Sequence, residues 1–154
     1  MQQNFDVQNY QLLQEISAGG VVILEKNGKQ FIITIERKRM KDKCLPKGHQ
    51  DLNESLQKTA IREVKEETGY TTKILSYLGP FTYSVKSDNK KTIIIITTHW
   101  FLMKVIGGSK RKANAEVKKI NLNPIDEDFS FLTYGNDRMF IEKAKKVLKK
   151  LPNF

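Results

Sequence analysis

A chain of 154 residues, 39% hydrophobic and 29% charged, is sized for one globular domain, and its composition excludes fibrous, disordered and disulfide-stapled classes. Its lone cysteine, Cys44, rules out an intrachain disulfide, and the longest apolar run, TIIIITTHWFLMKVI, is too short and too interrupted by Thr97, Thr98 and His99 to span a bilayer, so no membrane partner is expected. The balance of 27 Lys+Arg against 17 Asp+Glu, a net +10, favours polyanionic partners, but no aromatics alternate with the cations as a strand-stacking platform requires, so DNA-specific binding is not expected.

In chain order, MQQNFDVQNYQLL lacks a basic segment followed by an apolar core, which argues against a secretory signal and makes the cytoplasm the expected compartment. AGGVVILE (18–25) reads as a buried strand and FIITIER (31–37) as a second, joined through Asn27-Gly28, a hairpin signal. A loop containing LPKG follows. Asp51 or Asn53 then caps a helix of about 14 residues that ends at Gly69, with Leu56, Ala60 and Val64 as its buried stripe. Residues 74–85 and 92–105 read as strands separated by the polar turn KSDNKK. A closing helix runs from about Asp137 to Lys150, and its lysines form the solvated face opposite Ile141, Ala144, Val147, Leu148 and Leu151. Two strands, a helix, two strands and a helix predict an α/β sandwich with a mixed sheet, and the absence of any linker predicts one domain over 1–154.

The first helix carries an oddity. Glu63, Glu66 and Glu67 stand at i, i+3 and i+4, so they share a face and repel one another by about a few tenths of a kcal/mol per pair. They also sit in the last turns before Gly69, where the helix dipole disfavours anions by ~0.3–1 kcal/mol each. A solvated charged face with an Arg62–Glu66 pair is the ordinary explanation. A site that awaits a hard dication is the other, since Mg²⁺ takes oxygen ligands and removes the repulsion.

Reading outwards from REVKEETGY, the full pattern is G-x5-E-x7-R-E-V-x-E-E-x-G-Y, written GHQDLNESLQKTAIREVKEETGY over 23 residues. It resembles the Nudix box. The likeness extends to the AGGVVIL strand, the LPKGH approach and LTYGNDRMFIEKA near the C-terminus, which resemble the diadenosine tetraphosphate hydrolase branch. The resemblance implies a Nudix-type α/β/α sandwich and a Mg²⁺-dependent pyrophosphohydrolase, with Mn²⁺ as a substitute ion, acting on a small-molecule nucleotide polyphosphate. It implies that Glu63, Glu66, Glu67 and the carbonyl of Gly48 bind metal, that Glu54 supports the site from the helix start, and that Arg62 holds the carboxylates.

Family members differ in which carboxylate takes the proton of the attacking water; Glu63 and Glu116, in KANAEVKK, are the candidates here. Lys47 and His49 flank Gly48 and are assigned to substrate. Where that branch carries a base-stacking tyrosine this chain has Ser87, which turns attention to Tyr83 and Tyr134. Trp100 and His99 read as core, and Cys44 as packing. The first expected reaction is asymmetric cleavage of diadenosine tetraphosphate to ATP and AMP. The alternatives are hydrolysis of oxidised nucleoside triphosphates or of the 5′ end of triphosphorylated RNA, which the basic clusters RKRMKDK (37–43) and EKAKKVLKK (142–150) favour, and a catalytically inactive nucleotide sensor. Both monomer and dimer remain open.

Overall fold

The computed structural model describes residues 9–89 and 91–152. Strand β1 (Gln11–Lys26) turns into β2 (Lys29–Arg37) through Asn27 and Gly28, both at positive φ (53° and 73°), the backbone that a two-residue hairpin of the primed type demands. Short strands β3 (Lys43–Cys44) and β4 (Lys47–His49) follow, then helix α1 (Leu56–Thr68) and the long strands β5 (Tyr70–Lys86) and β6 (Thr92–Gly108). Strand β7 (Val117–Pro124), a 3₁₀ turn (Phe129–Phe131) and helix α2 (Gly135–Lys150) complete the chain.

The sheet runs β3-β2-β1-β6-β5, with β4 also on β1 and β7 also on β2. Its one parallel pairing, β1 with β6, runs from Gln11–Thr92 to Ile23–Lys104. The sheet is therefore mixed, as expected. Both faces are covered, which explains why the central strands are continuously apolar rather than alternating. Ala18, Val22, Ile33, Phe101 and Met103 point to α1, where Ala60 and Val64 meet them. Val21, Ile23, Ile32, Trp100 and Leu102 point the other way, onto Phe140, Ile141 and Ala144 of α2. Among the described residues no helix is long and apolar enough to cross a membrane.

Three expectations need correction. The cap of α1 is Ser55, whose side chain accepts the Lys58 N–H at 3.1 Å, and not Asp51 or Asn53. The helix begins at Leu56, so both candidates lie too far upstream, and Asn53 sits at positive φ in the preceding turn. The first strand begins at Gln11, because β6 supplies a partner along its whole length. Strand β7 was not expected at all. A bulge opposite Glu36 and Arg37 leaves Lys118 unpaired and breaks the alternation that would have revealed the strand. Gly69 does end α1, in the left-handed conformation (φ 86°), with its N–H on Lys65 O.

Candidate active site

Arg62 organises one end of the sheet. Its Nε and Nη2 donate to Glu54 Oε2 and Oε1 at 2.8 and 3.0 Å, Nη1 donates to Glu63 Oε1 at 2.8 Å and to Glu66 Oε2 at 3.2 Å, and Nη2 also donates to the carbonyl of His49 at 2.8 Å. Only a guanidinium has enough donors in a fixed fork to bind three carboxylates and a loop carbonyl together. Those anions push its pKa above the ordinary range, the Glu54 hydrogen bond first. Glu54 in turn is pulled down to about 2 by Arg62 and by the Thr59 hydroxyl, which donates at 2.6 Å.

The carboxylates of α1 differ in their surroundings. Glu66 is exposed, whereas Glu63, with only 14% of its side chain exposed, is raised by burial against the opposing pull of Arg62. Glu67 is pushed up to about 8, by burial first and by the charge of Glu63 second, and accepts the backbone N–H of Lys47 at 3.2 Å. Gly48 closes the site. A Cβ there would fall inside the Glu63 carboxylate, so only glycine lets β4 lie this close. Past the helix end, Lys65 Nζ donates to Gly69 O at 2.9 Å and the Arg111 guanidinium to Glu66 O, which sets cations against the negative end of the dipole.

Among the described residues no three carboxylates or imidazoles converge as ligands of a single ion, since Glu63 and Glu66 are engaged by Arg62. The donor set nevertheless fits a hard dication. It is all oxygen, Glu67 makes no ion pair among the described residues, Glu66 is exposed and held only by Arg62, and the glycine cradle brings the Gly48 backbone against Glu63.

Beside the carboxylates lies a cleft of about 600 Å³, and Lys47 and His49 form its near edge. Lys47 Nζ stands 6.0 Å from the ring centroid of Tyr83, and the largely exposed His49 is 3.7 Å from Glu15. Tyr83 and Tyr134 both line this cleft, whereas Ser87 is occupied in the β5–β6 turn, where its hydroxyl accepts the Thr92 N–H at 3.2 Å. The Tyr134 hydroxyl is already engaged, donating to Asp42 Oδ2 at 2.5 Å. The structure does not join Glu116 to the cluster. It is exposed before β7, its carbonyl accepts the Lys38 N–H at 2.9 Å, and no hydrogen bond or ion pair among the described residues links its carboxylate to α1.

Several cleft residues escaped the sequence reading. Arg37, counted in a basic cluster, is held by Asp42 through Nε to Oδ1 at 2.8 Å and a second bond from Nη2 to Oδ2. The cluster thus neutralises part of its own charge. Asp137, inside the expected closing helix, is a buried cleft residue that accepts the Leu45 N–H at 3.1 Å and is pushed up to about 6 by burial. Thr98 and Trp100 also line the cleft, and the only signal for them was position within the apolar run.

The model of the NUDIX domain matches residues 14–140. Among curated proteins, "Putative mutator protein MutT4" of Mycobacterium tuberculosis is 36% identical over 143 residues, covering 89% of this chain and 57% of that protein. An "8-oxo-(d)GTP phosphatase" of Mycolicibacterium smegmatis is 31% identical over 115 residues, 75% of this chain and 34% of that one. The chain thus spans well under two thirds of either relative. Among solved structures, a C. elegans Ap4A hydrolase binary complex superposes with a TM-score of 0.71 at 20% identity, covering 89% of this chain and 99% of that one, a likeness of fold.

Proposed function

This chain belongs to the NUDIX domain family, and from that premise we propose that it is a divalent-metal-dependent pyrophosphohydrolase of nucleoside polyphosphates. The observation that carries the reading is the cluster itself: Arg62 binding Glu54, Glu63 and Glu66, Gly48 against Glu63, and Glu67 on the N–H of Lys47, which with His49 lines the adjoining cleft.

Glu63, Glu66, Glu67 and the Gly48 carbonyl would hold Mg²⁺, or Mn²⁺ in its place, which when bound neutralises phosphate charge and lowers the pKa of a coordinated water. The chain's own residues do the rest. Lys47, at the junction of cleft and cluster, places a cation along the phosphate chain. Glu63 keeps one oxygen on Arg62 and has the other to take the proton of the water that attacks phosphorus, while the bridging P–O bond breaks and the leaving phosphate departs with its electron pair. Arg62 fixes the orientation of that carboxylate, and Glu54 fixes Arg62.

Two substrates suit this reading. The similarity to mutator-type relatives favours a nucleoside triphosphate, oxidised or not, with its single base in the cleft. The LPKGH approach favours diadenosine tetraphosphate, whose second adenosine would lie on the open groove beside His49, Ile16 and Gln50. We take the triphosphate first, since the mutator-type relatives match the larger part of this chain. A panel of dGTP, 8-oxo-dGTP, diadenosine tetraphosphate and 5′-triphosphate RNA with Mg²⁺, read by product chromatography, ranks them. Absence of turnover with tight nucleotide binding would make the chain a sensor and overturn the hydrolase reading.

A further inference from the structure

The two basic clusters visible in the sequence, 37–43 and 142–150, meet different fates in the fold. In α2 the lysines are partly engaged within the protein: Lys145 pairs with Glu142 at 3.4 Å and lies 5.2 Å from the Phe129 ring centroid, and Lys143 lies 6.0 Å from that of Phe140. The segment after β2 instead gains a second set of cations from a distant part of the chain. Strand β7 runs antiparallel to β2 with Lys119 opposite Glu36, and beyond the ladder the Lys38 N–H donates to the Glu116 carbonyl at 2.9 Å. That pairing sets Lys38, Arg39, Lys41 and Lys43 alongside the segment that carries Lys110, Lys112, Lys118 and Lys119. These side chains are all exposed, and none makes an ion pair among the described residues. Of the nearby carboxylates, Asp42 is buried on Arg37 and Glu36 accepts from Asn121, which leaves Glu116 as the exposed acid of the two segments.

Backbone bonds pin both segments. The Arg37 N–H donates to Asp42 O and the Thr133 N–H to Lys43 O, each at 3.0 Å. On the other side Asn114 Oδ1 accepts the N–H groups of Glu116 and Val117 at 2.9 and 2.7 Å, and the Arg111 N–H donates to Thr68 O at 2.8 Å. Cations fixed on such a frame repel one another, and a polyanion laid across them relieves that repulsion with little ordering of the backbone on binding.

We propose that segments 38–43 and 110–119 together form a docking surface for nucleic acid, held through its phosphates without regard to sequence. A nucleic-acid strand carries a regular row of charges, and lysines that replace its counterions gain affinity from their release. The two segments contain no aromatic residue to stack on a base, so the phosphates supply the contact. Met40 is their one exposed large apolar side chain, too little to anchor in a lipid surface. Met40 also lines the cleft, so the surface adjoins it. The inference does not depend on the hydrolase reading.

The probe is an oligouridylate of about 20 nucleotides with hydroxyl ends and an internal fluorophore, titrated in EDTA so that neither a terminal phosphate nor a metal contributes. Fluorescence anisotropy should give a Kd of about 1–100 µM near physiological salt. Lys38→Gln/Lys112→Gln/Lys118→Gln should weaken binding about tenfold and flatten the slope of log affinity against log salt by about 2. Lys146→Gln/Lys149→Gln/Lys150→Gln removes the same charge from exposed positions of α2 and should change affinity less than about twofold. Circular dichroism establishes that both variants fold. Equal losses in the two variants would mean that net charge alone acts and would overturn the inference. Failure of the wild-type protein to bind at low salt, or capture by phosphatidylserine vesicles in preference to the oligonucleotide, overturns it as well. Oligonucleotide binding that depends on these lysines, without turnover of any nucleotide, supports it and overturns the hydrolase reading alone.

Discussion

Glu54 and Arg62, eight positions apart, form a two-point pair, Nε to Oε2 at 2.8 Å and Nη2 to Oε1 at 3.0 Å, that ties the turn before α1 to the middle of the helix. The geometry uses the planar fork of arginine, so Arg62→Lys keeps the charge and loses the pairing. The expected result is metal affinity and kcat/KM lowered about 10–100-fold, the range for losing a group that orients metal ligands. Titration with Mn²⁺ and steady-state kinetics measure both. A lysine variant with unaltered metal affinity would show that charge alone suffices.

Glu63→Gln tests the proposed base, with Mn²⁺ titration separating that role from its part in holding metal. It retains an oxygen for the Arg62 hydrogen bond but cannot take a proton. The expectation is a kcat loss of about 10²–10⁴-fold. Thermal stability should hold or rise, because one of the repelling carboxylates is neutral. Full activity would return the role of base to another group, and Glu116→Gln serves as the parallel test.

Gly48→Ala should inactivate through position rather than charge. The added methyl collides with the Glu63 carboxylate, so either β4 or Glu63 must shift. A shift of that kind displaces both a carbonyl and a carboxylate of the site, and activity is expected to fall by about 10²-fold with circular dichroism unchanged. Wild-type turnover would mean that the close approach has no catalytic purpose.

Asp137 gives a stability change with a defined sign. Its folded-state pKa is raised from 3.8 to about 6, chiefly by burial, so between those values the native chain binds more protons than the unfolded one. Stability attributable to this group therefore falls as pH rises through that window and stays low above it. Asp137→Asn keeps an oxygen for the Leu45 N–H and removes the buried charge. The variant should be more stable than wild type at pH 8, by about 2 kcal/mol, and the two should converge near pH 4. Urea unfolding at both pH values checks it; a constant difference would mean that the carboxyl does not titrate in the fold.

Cys44 is buried and its thiol is pushed up to about 12, by burial above all. It should be silent to a thiol-specific disulfide reagent in the native protein and react once in denaturant. Rapid labelling of the folded chain would contradict the packing described for it.

The contrast between what the sequence announced and what it hid has a physical pattern. Features fixed by local backbone rules were legible: the Asn27-Gly28 turn, the left-handed stop at Gly69 and the helical spacing that brings Glu63, Glu66 and Glu67 together. Features that depend on contacts distant in the chain were not. Ser55, not Asp51 or Asn53, is the cap because the turn holding Glu54 on Arg62 and Thr59 delays the helix start to Leu56. Tyr134 could be picked out as an aromatic near the substrate, but its bond to Asp42, distant in the chain, could not be foreseen. Thr98 and Trp100 lie in a run whose apolar character is explained by burial, and only the folded sheet shows that their polar atoms were left over.

The parallel ladder between β1 and β6 has a consequence for biogenesis. Its two strands are at opposite ends of a long stretch of chain that contains α1, and α1 docks on β1. A nascent polypeptide leaving the ribosome can close the β1–β2 hairpin early but cannot form the β1–β6 ladder until β6 has emerged, and loop closure of that length is slow. Until then the acidic helix has only an incomplete platform, so the carboxylate cluster should be assembled late in translation, and truncations that stop short of β6 should yield protease-sensitive chains rather than a smaller folded domain.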